Sequence, residues 1–211
     1  GGKREGGAFW SLAVGAAFSD LSIGKKASFE DNIADAGSIG FWRAVDSNNF
    51  TISIGEGPRI KSQGESGCRI ALTKSRGSLH IGKYAAIDIP YSVLSVSLFQ
   101  QSSFTLAFSG ALVLHCEKCL TTESFDSSSM QLSIVNSTFT GIKNYALSVL
   151  SAGASEQDSN SHINIISSSF DGTSDASAIL GTASNAGKIS ITAVDCNFTS
   201  FSSQSDGGAI Q

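Results

Sequence analysis

Apolar residues alternate with small polar ones in short bursts along this chain, and the bursts repeat. LSIVNSTF (132–139) aligns with INIISSSF (163–170), and ISITAVDCNF (189–198) follows with two extra residues. Each phrase places apolar side chains at every second position, then small polar ones, then Phe. Period-two alternation marks a half-buried strand, because successive side chains point to opposite faces. The phrases start 31 and 26 residues apart, at 132, 163 and 189. A small apolar pair follows each Phe: Ala146-Leu147, Ala178-Ile179 and Ala209-Ile210.

Further copies stand in the first half: LSIGKKASF (21–29), FTISIG (50–55), SLHIG (78–82) and VSLFQQSSF (96–104). From Leu21 to Ile52 is 31 residues and from Ile52 to Leu79 is 27. The stretch from 79 to 132 does not divide evenly among these copies, which predicts an irregular or inserted coil around 83–131. A repeat of this length holding two or three short strands is one coil of a parallel β-solenoid. One coil cannot bury its own apolar edge; stacking coils at the strand spacing of about 4.8 Å buries like on like. The expected fold is all-β: one parallel β-helix over residues 1–211, of about 6–8 coils, cut from or built as a longer array. Phe139, Phe170 and Phe198 are then a core aromatic stack. A β-sandwich also has closely spaced strands, but its strands do not repeat one phrase at a long period.

Two stretches carry a family likeness. Phe29-Glu30-Asp31-Asn32 leads into Ala34 and Ala36-Gly37-Ser38-Ile39, and Cys196-Asn197-Phe198 leads into Gly207-Gly208-Ala209-Ile210. The start of the chain carries a related phrase, Gly6-Gly7-Ala8-Phe9. The first two stretches resemble the FxxN…GGAI units of chlamydial-type polymorphic outer-membrane proteins and of similar repeats in surface proteins of unicellular eukaryotes. One FxxN is intact, Phe198-Thr-Ser-Phe201 lacks the Asn, and residues 37–39 depart from GGA. The resemblance implies a right-handed parallel β-helix displayed outside the cell, with adhesive or structural duties and no enzymatic centre.

Composition agrees with strands and tight turns: Gly 22, Pro 2 and 41% hydrophobic residues among 211. The net charge is −4 but unevenly placed. Residues 1–90 hold 11 basic and 9 acidic side chains, residues 91–211 hold 3 and 9, and all five arginines lie at or before Arg76. There is no basic stripe of the kind a phosphate backbone requires, so nucleic acid is not an expected partner. No stretch has the roughly 18 consecutive apolar residues of a transmembrane helix. Lys3 and Arg4 before AFWSLAVGAAF (8–18) mimic a secretory signal, yet the run opens on the repeat's own glycine phrase and reads as strand.

Three glycosylation triplets occur, at Asn49-Phe50-Thr51, Asn136-Ser137-Thr138 and Asn197-Phe198-Thr199. Each Asn lies an odd number of residues before a Phe, so a buried Phe turns the Asn outward on a strand, as an acceptor requires. Of the four cysteines, Cys116 and Cys119 are spaced for a short local disulfide in an oxidising compartment. His115 beside them makes half a zinc knuckle without a second half, and His80 and His162 are isolated, so no metal or other cofactor is expected. Cys68 and Cys196 read as buried small apolar residues, Cys196 sharing strand parity with Phe198.

Polysaccharide lyases and hydrolases also use β-helices, and hydrolysis needs paired carboxylates on one groove. Glu30-Asp31 and Asp35 are the only dense acids; Asp171, Asp175, Asp195 and Asp206 are dispersed among turns, where Asp is a usual turn former. The expectation is therefore a non-enzymatic extracellular solenoid, the shaft of an adhesin or a subunit of a head-to-tail filament, self-associating end to end. Its glycan partners are covalent sugars or cell-surface carbohydrate. The alternative is a polysaccharide-binding or polysaccharide-degrading β-helix, marked by a lateral groove with clustered acids or exposed aromatics. Trp10, Trp42, Tyr84 and Tyr91 are expected mostly in the core or packed at loops.

Overall fold

The computed structural model describes residues 8–15, 18–32, 39–47, 49–62, 66–154, 158–173, 175–202 and 209–210. Gly6-Gly7, Asp35, Gly37-Ser38 and Asp206-Gly207-Gly208 lie outside them, so the corners expected at those glycines and the acids Asp35 and Asp206 have no structural account.

Among the described residues strands are the only regular elements, in three parallel seven-stranded sheets wound as a β-solenoid of about six turns. The fourth coil is representative: Ser92–Phe99 on the first sheet, Ser103–Ser109 on the second and Leu112–Leu114 on the third. The chain then turns a corner and lays the next strand of the first sheet, Lys118–Phe125, beside Ser92–Phe99. Alternation fixes which side chains point in: on Ser103–Ser109 the buried residues are Phe104, Leu106 and Phe108.

Register turns the repeat into continuous internal columns. Leu21, Ile52, Leu79, Leu106, Leu132, Ile163 and Ile191 stand one above another on the second sheet. On the third, Phe29, Ile60, Ile87, Val113, Phe139, Phe170 and Phe198 do the same. The last three rings stack face to face at 5.0 and 5.2 Å between centroids. On the first sheet one column runs Phe9, Gly40, Cys68, Leu94, Leu120, Leu147, Ile179 and Ile210. Each column buries side chains that no single coil is able to cover. Gly77 interrupts one column for a packing reason. A Cβ there stands 2.9 Å from the Phe50 ring and 3.2 Å from the Phe104 ring, so its absence lets the two rings close over it.

Two corners carry ladders of buried hydroxyls. Between the first and second sheets the Ser47 amide donates to the Ser75 hydroxyl (3.0 Å), Ser75 to Ser102 (3.2 Å) and Ser102 to Ser128 (3.3 Å). Between the second and third, Ala111 donates to Ser137 (3.2 Å) and Ser137 to Ser168 (3.1 Å). Each hydroxyl satisfies a corner amide that no strand partner reaches, as a buried backbone donor requires. Cys196 occupies the next position in that corner, its thiol 3.2 Å from the Val194 carbonyl and 3.4 Å from that of Ile165. It is half-buried at the corner and less enclosed than its parity with Phe198 implies.

Three sequence expectations are corrected. The stretch around 83–131 holds no inserted coil: Leu106 stands midway between Leu79 and Leu132, in register with both. FTLAF (104–108) is the copy hidden there, with Phe108 standing where the neighbouring coils have Ile81 and Ile134. VSL at 96–98 is not a copy of the second-sheet phrase but a strand of the first sheet, Val96 lying beside Ile70. Finally, Ile163 pairs with Ile191, and Ile189 with Ser161. The last phrase therefore matches its predecessor residue for residue from 191, and the two extra residues precede it.

Candidate functional site: column ends and outer faces

Among the described residues, the two ends of the column carry inward apolar side chains that are only half-buried. In the last complete coil, the inward residues Ile189, Ile191 and Phe198 are only half-buried, although their counterparts one coil earlier are fully buried. Among the described residues, Gly187–Val194 and Asn197–Thr199 each have a neighbour on one side alone. On the first sheet a further rung begins: the amides of Ala178 and Ile179 both donate to the Ala209 carbonyl at 2.9 Å, and Ile210 is 48% exposed. At the other end Phe9, Leu21 and Phe29 pack against the core half-covered, and Leu12 and Val14 are exposed.

The three sequon asparagines are exposed, and Phe50 and Phe139 beside two of them are buried, whereas Phe198 is half-buried. Asn49 opens the second-sheet strand Asn49–Ile54 and Asn197 the third-sheet strand Asn197–Thr199. Asn136 stands at the corner between those sheets with φ 49°, a left-handed conformation that Asn adopts more readily than bulkier residues. All three therefore lie on the second and third sheets or their shared corner.

Cys116 and Cys119 are joined as a disulfide, both fully buried at the corner leading from the third sheet to the first. Cys68 is a buried thiol in the first-sheet column, and burial pushes it up to about 12. Such a thiol stays protonated, unlike a reactive one.

Of the candidate acids in the second half, Asp171, Asp175 and Asp195 are described. Asp171 accepts from the Thr199 hydroxyl (2.9 Å), while Asp175 and Asp195 sit at corners with φ of 72° and 54°. Among the described residues no three His, Cys, Asp or Glu side chains are grouped to hold a metal ion. His115 faces Asp88 at 3.4 Å on the outer surface.

The aromatics correct another expectation. Trp42 is buried, but Tyr84 is 76% exposed and Tyr91 50%. Both are held at corners, where a side chain points away from the column. On the second sheet, the outer face of strands Ser103–Ser109, Ser129–Val135 and Ser159–Ile166 carries no Asp, Glu, Lys or Arg. Its depression of about 320 Å³ is lined by Thr105, Gln131, Ser133, His162, Asn164 and Thr192. The hydroxyl ladders and this face escaped the sequence reading. The ladder had a signal, since Ser75, Ser102 and Ser128 recur at 27 and 26 residues, the coil length itself.

Set against protein-family models, curated proteins and solved structures, the chain matches none of them.

Proposed function

We propose that this chain is a non-enzymatic β-solenoid displayed outside the cell, as the shaft of a surface adhesin or a subunit of a head-to-tail filament. The observation that carries the proposal is the half-covered end of the column at Ile189, Ile191 and Phe198, on strands whose outer edge has no neighbour among the described residues. Open strand edges recruit further strands unless capped, and half-covered apolar residues add a hydrophobic drive to the same contact. The next rung comes from further coils of the same chain or from another copy; the latter is a heterologous contact that propagates a fibre. The FxxN…GGAI resemblance fits this reading, because Phe9 and Ile210, which close the two glycine phrases, occupy the same column. Three exposed sequon asparagines fit a secreted glycoprotein.

Sedimentation of the 211-residue chain over a wide concentration range tests the proposal. The expected result is a ladder of species of one cross-section and growing length, abolished by Ile191→Glu with Phe198→Glu. A single monomeric species at every concentration, with no species of greater length, overturns the filament arm.

A second reading, a polysaccharide-binding or polysaccharide-degrading β-helix, is favoured by the uncharged hydroxyl- and amide-lined depression on the second sheet. Release of reducing ends or unsaturated products from polysaccharide distinguishes degradation from binding alone.

A further inference from the structure

The corner between the second and third sheets changes character along the column. From residues 110–111 onward it is two residues long, but in the first three coils it takes four, at 24–27, 55–58 and 82–85. The longer corners project from the column, and their left-handed positions are Lys26 (φ 57°), Gly57 (66°) and Tyr84 (61°). Backbone bonds stack these positions, the amides of Lys26, Gly57 and Tyr84 donating to Glu56, Lys83 and Gly110 at 2.9, 2.8 and 2.9 Å. Gly57 has no side chain between the Lys26 stem and the Tyr84 ring, and a Cβ built there meets only Lys26 Cγ, at 3.8 Å. The gap opens a cleft of about 600 Å³.

Three cations and one carboxylate line that cleft: Lys25, Lys26, Arg59 and Glu56. Glu56 is taken by Lys25 at 3.0 Å, and among the described residues no ion pair reaches Lys26 or Arg59. On a chain of net charge −4, two unmatched cations across a built notch form a local positive field. Tyr84 is the other anomaly. A bulky residue with left-handed φ is strained, and at 76% exposure its ring gains little from burial to offset that strain.

We propose that this notch binds an anionic glycan, with Lys26 and Arg59 on its carboxylate or sulfate groups and the Tyr84 ring against a pyranose face. An extended peptide fits less well: the corner amides are already bonded, so strand addition has no edge to use here. Recognition falls to side chains alone, and planar Arg with a compact ammonium suits anionic groups spaced along a polymer. The inference rests on the adhesive half of the proposed function and is independent of end-to-end growth.

The test measures binding of dextran sulfate and polygalacturonate oligosaccharides to the whole chain by calorimetry, against neutral dextran, polyglutamate and oligothymidylate. An anionic glycan is expected to bind, neutral dextran not, with affinity falling as salt rises. Lys26→Glu and Arg59→Glu each weaken binding roughly tenfold or more, and Tyr84→Ala about threefold. Gly57→Asn keeps the left-handed corner but fills the notch, and it also abolishes binding. Lys143→Glu, an exposed cation elsewhere, changes nothing. Circular dichroism and sedimentation on every variant separate this proposal from the filament: binding lost with assembly intact isolates the notch. Equal binding of dextran, polyglutamate or oligothymidylate, or indifference to both charge reversals in a folded chain, overturns the proposal.

Discussion

Phe139 and Phe170 stack with ring centroids 5.0 Å apart and planes 13° from parallel, although a whole coil of chain separates them. The contact exists only because each coil repeats the path of the one before. Both rings are fully buried, and Phe170 has a ring on either side, Phe198 lying 5.2 Å beyond it. Phe170→Ala is expected to destabilise the fold by about 3–5 kcal/mol, the usual range for truncating a buried Phe. Phe198→Ala should cost clearly less, because that ring is half-buried. Chemical denaturation of the two variants checks the order; equal losses contradict the stacked column.

The corner ladder makes a sharper demand. The Ala111 amide is buried and donates to the Ser137 hydroxyl alone, which in turn donates to the Val135 carbonyl at 3.0 Å. Ser137→Ala strands that amide and is expected to cost about 1–3 kcal/mol. Ser137→Cys should recover part of the loss, since Cys196 stands at the equivalent position one coil beyond Ser168. Melting temperatures of the pair decide it.

Thiol chemistry divides by burial. A maleimide should label Cys196 in the folded chain and leave Cys68 untouched until unfolding, and reductant should reach Cys116–Cys119 only after unfolding. The Cys68 thiol is raised by burial from 9.0 to about 12. Below pH 9.0 it is protonated folded or unfolded and its contribution is fully present; between 9.0 and about 12 the unfolded thiol ionises first, so stability falls as pH rises. Cys68→Ala should show a shallower decline over that window in denaturation curves.

Secretion from a eukaryotic host tests the sequons. Intact mass should show hexose-bearing increments, and Asn49→Gln should remove one while leaving the stability within about 0.5 kcal/mol of unchanged, since that side chain is exposed on an extended strand. Unmodified protein at full secretion removes the glycoprotein reading.

Much of the fold was legible because a solenoid writes its geometry into period and parity. The spacing of Leu132 and Ile163 and the alternation around them lead directly to stacked parallel strands. What resisted was assignment to a face: VSL at 96–98 and LSI at 132–134 alternate identically, yet they lie on different sheets, since alternation tells inside from outside and nothing more. Corner length decides the face, and at the corner from the second sheet to the third it varies from two residues to four. The cleft of Lys26, Gly57 and Tyr84 was likewise hidden, because its members come from three coils and each alone reads as an ordinary turn residue.

The sequence by itself determined that side chains a coil apart must meet, because burial of an apolar residue at every second position leaves no other cover for it. Only the tertiary structure decided which coil-to-coil neighbours those are, where the column is left half-covered at Ile191 and Phe198, and which turns gather charge. Those outcomes depend on how far each corner carries the chain before the next strand begins, a distance set by backbone conformation at single residues.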